Sequence, residues 1–344
     1  YVRGTAIAIS DMTDTKETLT IDRQFADGKY VDNFDQLQTN LEFAAKYGEN
    51  MAAACSDQMD ADILGEWDQA TSTVDDGSFG GTADKGIQLT IANILKVFSS
   101  VKLKLQKQNV GIDELYGVIS PEVEQVLIEY SAGRDTGGGD QSNEDGRLMR
   151  FYGIDLYVSN LLGTSAVLFM ATQPTDGDTV IINGVTFTFK TTLGSTAGNV
   201  LIGASADIAR ANLAALINDP ATTTANGVAL TAANQRIMRN CTATNDNTDD
   251  TLTLDFKGLG VIIVSETLTA AADIWQSGKT RQHALFGRKK AIFAVVQKEA
   301  KPELKEVPDK LGKNLLVGIL YGFRSFADSK PQTVNVAIDT SSFA

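Results

Sequence analysis

From Val2 to Phe25 apolar and polar residues alternate on both sides of a polar tip, Ser10 to Lys16. That period-two pattern predicts a long two-stranded hairpin. The hairpin carries little apolar mass, and a two-stranded ribbon is marginal alone, so it is expected to lie against something else, another subunit first of all. The period then changes. Phe34, Leu37, Leu41, Ala44, Met51, Cys55, Met59 and Ile63 recur mostly three or four residues apart, the stripe of one long helix from Asn33 to roughly Ala70. Asn33 with Gln36 reads as a capping box, and Asp35 suits the positive end of the helix dipole. At about 1.5 Å per residue such a helix spans roughly 50 Å, the length of a strut.

A glycine-rich loop, Asp75 to Gly86, separates this helix from a second one. The second is predicted to carry Ile87, Ile91, Ile94, Leu95, Phe98 and Val101 on one face, with Lys102, Lys104 and Lys107 near its negative end. "LYGVIS" reads as a buried strand, and "SPEVEQVLIEY" as a helix with Ser120 at the N-cap and Pro121 in the first turn. A solvated loop follows over Gly133 to Gly146, and then the alternating "GRLMRFYGIDLYVSN".

From about Thr164 the composition shifts towards Thr, Ala, Asn and Asp. "DTVIING" and "VTFTFK" are alternating runs joined at Asn183-Gly184, a strong hairpin signal. "ASADIARANLAALIN" predicts an amphipathic helix capped by Ser205, and "TLTLDF" and "GVIIVSE" add strands. This reads as a small α+β module, residues 164–274, inserted into a mixed domain whose style resumes in "HALFGRKKAIFAVVQ" and "NLLVGILYGFRSFADSKPQTVNVAI". The expected division is an extended loop over 1–32, a first part of the main body over 33–163, the insertion, and a second part over 275–344.

Composition narrows the chemistry. The 344 residues are 43% hydrophobic and 21% charged, a globular balance, and no stretch approaches the roughly 18 uninterrupted apolar residues of a membrane helix. A formal charge of −13 argues against dedicated nucleic-acid binding, which needs a clustered basic surface. Cys55 and Cys241 form no C-x-x-C pair, so neither a disulfide framework nor a zinc knuckle is expected. His283 is the only histidine, and any Ser-His-Asp arrangement depends on it. Its neighbours, an apolar "ALF" run and "GRKK", favour a structural or surface role. The Gly133–Gly146 loop lacks the phosphate-cradling G-x-x-x-x-G-K-[ST] pattern. "NDNTDD", Asn245 to Asp250, offers oxygen ligands without EF-hand spacing and reads as a hairpin loop. Asp75 and Asp76 read as helix-end charges, and "GRKK", Gly287 to Lys290, as a patch for a carboxylate. No catalytic, cofactor or metal site is expected.

The order of these segments resembles the major capsid proteins of tailed bacteriophages, with the Hong Kong 97-type fold, over Tyr1 to Leu162 and His283 to Ile338. "LTIDRQFADGKYVDNFDQLQTN" resembles that family's passage from extended loop to spine helix, "VISPEVEQVLIEY" its axial-domain strand and helix, and "GRLMRFYGIDLYVSNLL" its "G-R-x-x-G-F-x-V-Y-x-S-N" segment. The resemblance implies an α+β shell protein with extended loop, spine helix, peripheral and axial domains, plus an insertion. It implies hexamers and pentamers tiling an icosahedral head around double-stranded DNA, assembled in the host cytoplasm with portal and scaffolding partners and no membrane. The module is expected on the outer surface. Candidate contacts between subunits are Arg3, Asp11, Asp14, Lys16, Glu17, Arg23, Arg147, Arg150, Arg288 and Lys289. Lys16 stands at the loop tip, where one member of the family cross-links through a lysine. Two other readings stand beside this one: an encapsulin-like compartment, and a virion surface or tail protein whose module binds a glycan.

Overall fold

Residues 16–32, 43–132, 150–258, 261–307 and 312–340 are described by the structure, a computed structural model. It begins with a strand, Arg23–Asp32 (β1), and a helix, Phe43–Leu64 (α1), which tightens into a 3₁₀ segment over Gly65–Gln69. A short strand, Ser72–Val74 (β2), precedes a 3₁₀ turn at Asp76–Phe79. There the Asp75 carboxylate accepts the Ser78 N–H at 3.0 Å, so Asp75 is an N-cap, in keeping with its reading as a helix-end charge. Next come Ile94–Lys107 (α2), Leu115–Ile119 (β3) and Pro121–Ala132 (α3). Two short strands, Arg150–Phe151 (β4) and Ile154–Val158 (β5), lead to Thr164–Phe169 (β6).

The hairpin at Asn183-Gly184 is as predicted. Thr179–Ile182 (β7) and Val185–Lys190 (β8) pair antiparallel, and both turn residues take positive φ, 49° and 79°, as a type I′ turn requires. Asn199–Leu201 (β9) is followed by Ala206–Asn218 (α4), capped by the Ser205 hydroxyl on the Ile208 N–H, and by Ala232–Met238 (α5). Cys241–Asp246 (β10) and Thr251–Phe256 (β11) enclose the "NDNTDD" loop, and Val264–Thr267 (β12) ends the group. The chain finishes with Arg281–Arg288 (β13), Phe293–Lys298 (β14), Glu303–Glu306 (β15), Gly312–Arg324 (β16) and Thr333–Asp339 (β17).

Three sheets organise these elements. One is four-stranded, in the order β1-β16-β14, with β15 also on β16. The largest has nine strands: β10-β11-β6-β13-β3-β5-β4 in line, with β17 on β13 and β2 on β17. The third, β12-β7-β8-β9, lies wholly within the stretch read as an insertion. Three apolar cores lie among them, the third shared between the β12-β7-β8-β9 sheet and the β10-β11-β6 end of the nine-stranded sheet. Met51 and Cys55 of α1 pack on Leu315, Val317, Ile319 and Tyr321, alternate residues of β16. Val97, Phe98, Val101 and Leu105 of α2 pack with Leu127, Phe286, Val334 and Val336. The third core draws every buried member from the stretch between Ala166 and Ile262, Phe187, Phe189, Leu213 and Leu254 among them. Because its burial is internal, residues 164–276 produced alone are expected to melt in one cooperative transition seen by circular dichroism. A featureless melt would refute that.

Three expectations need correction. The Val2–Phe25 ribbon was expected to lie against another subunit, yet its last three residues, Arg23, Gln24 and Phe25, open β1 and pair with Tyr321, Leu320 and Ile319 of the same chain. Residues 1–15, which hold the expected ribbon tip except Lys16, and the capping box at Asn33 fall outside the described residues. The helical rod was expected to reach roughly Ala70, whereas α1 stops at Leu64. At Gly65 a Cβ would lie 2.5 Å from Lys257 Cδ, so the backbone is pressed against the inserted stretch and the chain turns. The second helix starts at Ile94, not near Ile87. Ile87 instead bridges to the last strand, its N–H donating to Ala337 O at 2.9 Å and its carbonyl accepting from Asp339 N–H at 3.0 Å. Ile91, expected on the buried face, is 49% exposed. Local hydrogen bonds from Thr90 N–H to Asn93 Oδ1 and from Asn93 Nδ2 to Gln88 O delay the helix.

Candidate assembly surfaces

Apolar surface and strand edge that a chain leaves uncovered are where another chain can associate, so the candidate site is a surface. On the β1-β16-β14 sheet, the Leu315 side is covered by α1. Residues between those on β16, Leu316, Gly318 and Leu320, point to the other side, together with their partners Ala26 and Gly28 of β1. β14 is exposed along its whole length, and Phe293, Val295 and Val296 leave 43%, 45% and 41% of their surface open. Apolar strands on a sheet edge are templates for association. Here the edge is guarded: the register slips between Val296 and Lys298, and Lys298, Lys301, Pro302 and Lys305 follow. The sequence marked "FAVVQ" as part of a strand run without saying which way it faces. The only signal of its exposure was the charged "KEAKPELKE" directly after it.

Of the ten predicted contact residues, Arg3, Asp11, Asp14 and Arg147 lie outside the described residues. Lys16 is exposed where the description begins. Glu17 is tied to its own subunit: its carboxylate accepts the Ala327 N–H at 3.0 Å and stands 3.9 Å from the Arg324 guanidinium, which donates to Thr18 O at 2.6 Å. This anchor sets where the segment leaves the body. It continues across Gly322, where a Cβ would lie 2.3 Å from Thr20 O, so any side chain there would block the crossing. Arg23 stacks over the Phe323 ring at 5.7 Å and lies 3.9 Å from Asp22.

Arg150 and Lys289, distant in sequence, meet at one carboxylate, Asp155, at 3.6 and 3.4 Å. The "GRKK" patch therefore finds a carboxylate inside its own chain. Arg288 is half-buried, beside Gly111. Exposed pairs of this kind contribute about 0–1 kcal/mol each.

His283 is fully buried between the layers. Its ring stacks on Trp67 at 3.5 Å with planes 1° apart. Nδ1 donates to Asn335 Oδ1 at 3.1 Å, and Nε2 accepts from the Ser165 hydroxyl at 2.8 Å, while that oxygen takes the Arg281 Nε–H at 3.2 Å. The chain of Ser165, His283 and Asn335 has the connectivity of a nucleophile, base and orienting group. Burial, and then the Arg281 charge, lower the His283 pKa to about 3, so the imidazole is a poor base. Each member is at least 97% buried, which leaves no approach for a substrate. What the cluster does is join β6, β13, β17 and the 3₁₀ segment at one point.

No family model matches the chain, and no curated protein matches it. Among solved structures, one titled "Mycobacterium phage Che8" aligns with 96% of this chain and 76% of its own at 12% identity, with a TM-score of 0.52. The "Capsid structure of the Cyanophage P-SCSP1u" covers 97% of this chain and 80% of its own at 11% identity, with a TM-score of 0.48. The "Asymmetric unit of bacteriophage PhiM1 mature capsid" covers 99% and 78% at 12% identity, with a TM-score of 0.47. The likeness to the Che8 structure is one of fold, along nearly the whole chain, and agrees with the expected α+β architecture of the Hong Kong 97 type. No helix among the described residues is long and apolar enough to cross a membrane.

Proposed function

We propose that this chain is the major shell subunit of a tailed-phage head, associating as hexamers and pentamers into a closed icosahedral capsid around double-stranded DNA, without catalytic activity. One observation carries the reading: a phage structure shares the fold along 96% of the chain. The sequence segments that resemble the capsid family support it, as does the exposed apolar strand β14, which a solitary subunit has no use for. The mechanism is additive. Each copy meets several neighbours through contacts that are individually weak, and closure makes all of them at once. The acidic charge of −13 suits a container, since an acidic inner wall does not adhere to packaged DNA. A portal and a scaffolding protein are the expected partners, and the host cytoplasm the place of assembly.

In this reading residues 1–32 form the extended loop, 33–163 and 275–344 the peripheral and axial body, and 164–274 the insertion domain. Electron microscopy of the purified chain tests it. Uniform closed polyhedra are expected, and particles from a variant lacking Asp11 to Lys16 should be absent or broken although its circular dichroism spectrum is unchanged. The deletion spares Glu17 and its contact with Ala327. A wild-type chain that stays a single copy at high concentration, with or without a co-expressed scaffold, refutes the shell. Normal heads from the deletion remove the loop from the assembly contacts.

A further inference from the structure

Around the end of α1, three contacts join the inserted stretch to the rest of its own chain, and a fourth is made by Gly163, the residue just before it. The side-chain amides of Gln58 and Asn240 exchange hydrogen bonds, at 3.4 and 3.3 Å. Lys257 lies along Gly65 so closely that a Cβ would meet its Cδ at 2.5 Å. Gly163, next to β6, faces the Trp67 indole, and a Cβ there would be 2.4 Å from Nε1. The Arg239 guanidinium sits 4.4 Å over the Phe25 ring of β1. Three of these grip α1 and its continuation before, at and after the break: Gln58 lies in the helix, Gly65 starts the 3₁₀ segment, and Trp67 is inside it.

That break is where bending would be expected, because a glycine and a switch to 3₁₀ geometry are common marks of a hinge. The helix is a lever. Its 22 residues run about 33 Å, so a rotation of a few degrees at Gly65 displaces the far end by a few ångströms. On one side of the hinge α1 and β1 belong to the β16 layer. On the other side Trp67 stacks on His283 of the nine-stranded sheet. Residues 239–240 and 257 hold the first side, while β6, paired with β13 through Ser165 and Thr164, holds the second.

We propose that the inserted module is a clamp across this hinge, fixing the angle between the β16 layer and the nine-stranded sheet within one subunit. Its effect on particle shape rests on the shell reading, whereas the clamp itself does not. Fixing the angle sets subunit shape, and in a closed shell subunit shape sets curvature. The module does this by packing and amide pairing in cis, a role separate from any contact it makes with neighbours.

The test is the full chain carrying Arg239→Ala and Asn240→Ala, with Gln58→Ala as an independent variant on the opposite side. Neither set removes an apolar side chain from a core, although Arg239 covers Phe25 at the edge of the α1–β16 core. Hydrogen exchange by mass spectrometry is the deciding measurement. Peptides spanning residues 58–69 should exchange about tenfold faster in both variants, while those of β8 and α4 keep their protection. Unchanged exchange over 58–69 overturns the clamp, and so does uniform loss of protection through the module, which would mean that the substitutions unfolded it. Where particles form, the variants should give a wider spread of diameters than the wild type, and identical diameters would overturn the link to curvature. Absence of particles in the wild type as well would count against the shell reading and leave the exchange result to decide the clamp.

Discussion

Replacing Arg210 by alanine is expected to destabilise the inserted module by about 1–3 kcal/mol, the cost of leaving a buried acceptor without its donor, while its partly exposed carboxylate partners add little. Arg210 sits on α4 with none of its side chain exposed. Its Nε donates to Asn245 Oδ1 at 3.1 Å, and its Nη2 donates to Asp250 Oδ1 at 3.0 Å and to Asp207 Oδ1. Nη1 donates to the carbonyl of Met170. One guanidinium thus ties α4 to the end of β6 and to both sides of the β10–β11 loop, and gathers the Asp207 and Asp250 carboxylates around one cation. The cation neutralises that cluster, so truncation leaves two carboxylates facing each other and a buried carbonyl without its donor. Urea unfolding of residues 164–276 is the measurement. Arg210→Lys should recover only part of the loss, because an ammonium cannot reproduce the planar fork. A loss under about 1 kcal/mol for Arg210→Ala would show the cluster to be surface decoration.

Acid is expected to loosen the junction at His283, and a substitution there should remove the effect. The imidazole titrates near 6.5 in an unfolded chain and at about 3 in the folded one. The direction follows from counting protons. Between these values the unfolded state binds a proton that the folded state refuses, so stability rises with pH. The contribution is present in full above about pH 6.5 and is lost as pH falls towards 3, amounting to about 4 kcal/mol at the lower limit. Protonation would place a second cation beside Arg281 and leave Nε2 unable to accept from Ser165. Thermal melts of wild type and His283→Gln between pH 4 and 7 separate this from general carboxylate titration, using about the interval where histidine dominates. The glutamine variant should start less stable at pH 7, having lost the Trp67 stack, and should fall less steeply. Parallel curves would remove His283 from the acid response.

Elements whose signals are local were legible in the chain. The Asn183-Gly184 hairpin, the Ser205 and Ser120 caps, and the alternating strands β3, β7, β8 and β11 each depend on residues within a few positions, and backbone geometry decides them wherever they lie. The same holds for the distinct composition beyond Thr164, since a core drawn from neighbouring residues leaves its mark on a continuous stretch. The candidate site was less legible. Charged residues were picked from loops and patches by type, yet nothing in the sequence says that Arg150 and Lys289 meet at Asp155, or that Glu17 is held by Ala327 from across the chain.

What sequence alone determined is the inventory: a strand-forming passage before a helix, a mixed body, a separate stretch with its own apolar set, and a single histidine, which excludes a multi-histidine metal site. Tertiary structure decided the boundaries and exposures, because those depend on partners far away. Ile87 carries a helix-compatible pattern but is taken by the last strand, and α1 ends where Lys257 presses on Gly65. β14 reads as an apolar strand, and only the fold leaves it open on a sheet edge. The lone His283 could have been at the surface, and only the meeting of β6, β13, β17 and Trp67 makes it a neutral, buried joint. Local propensity selects an element. Whether it is covered, cut short or left free is settled by long-range packing that no window of neighbouring residues contains.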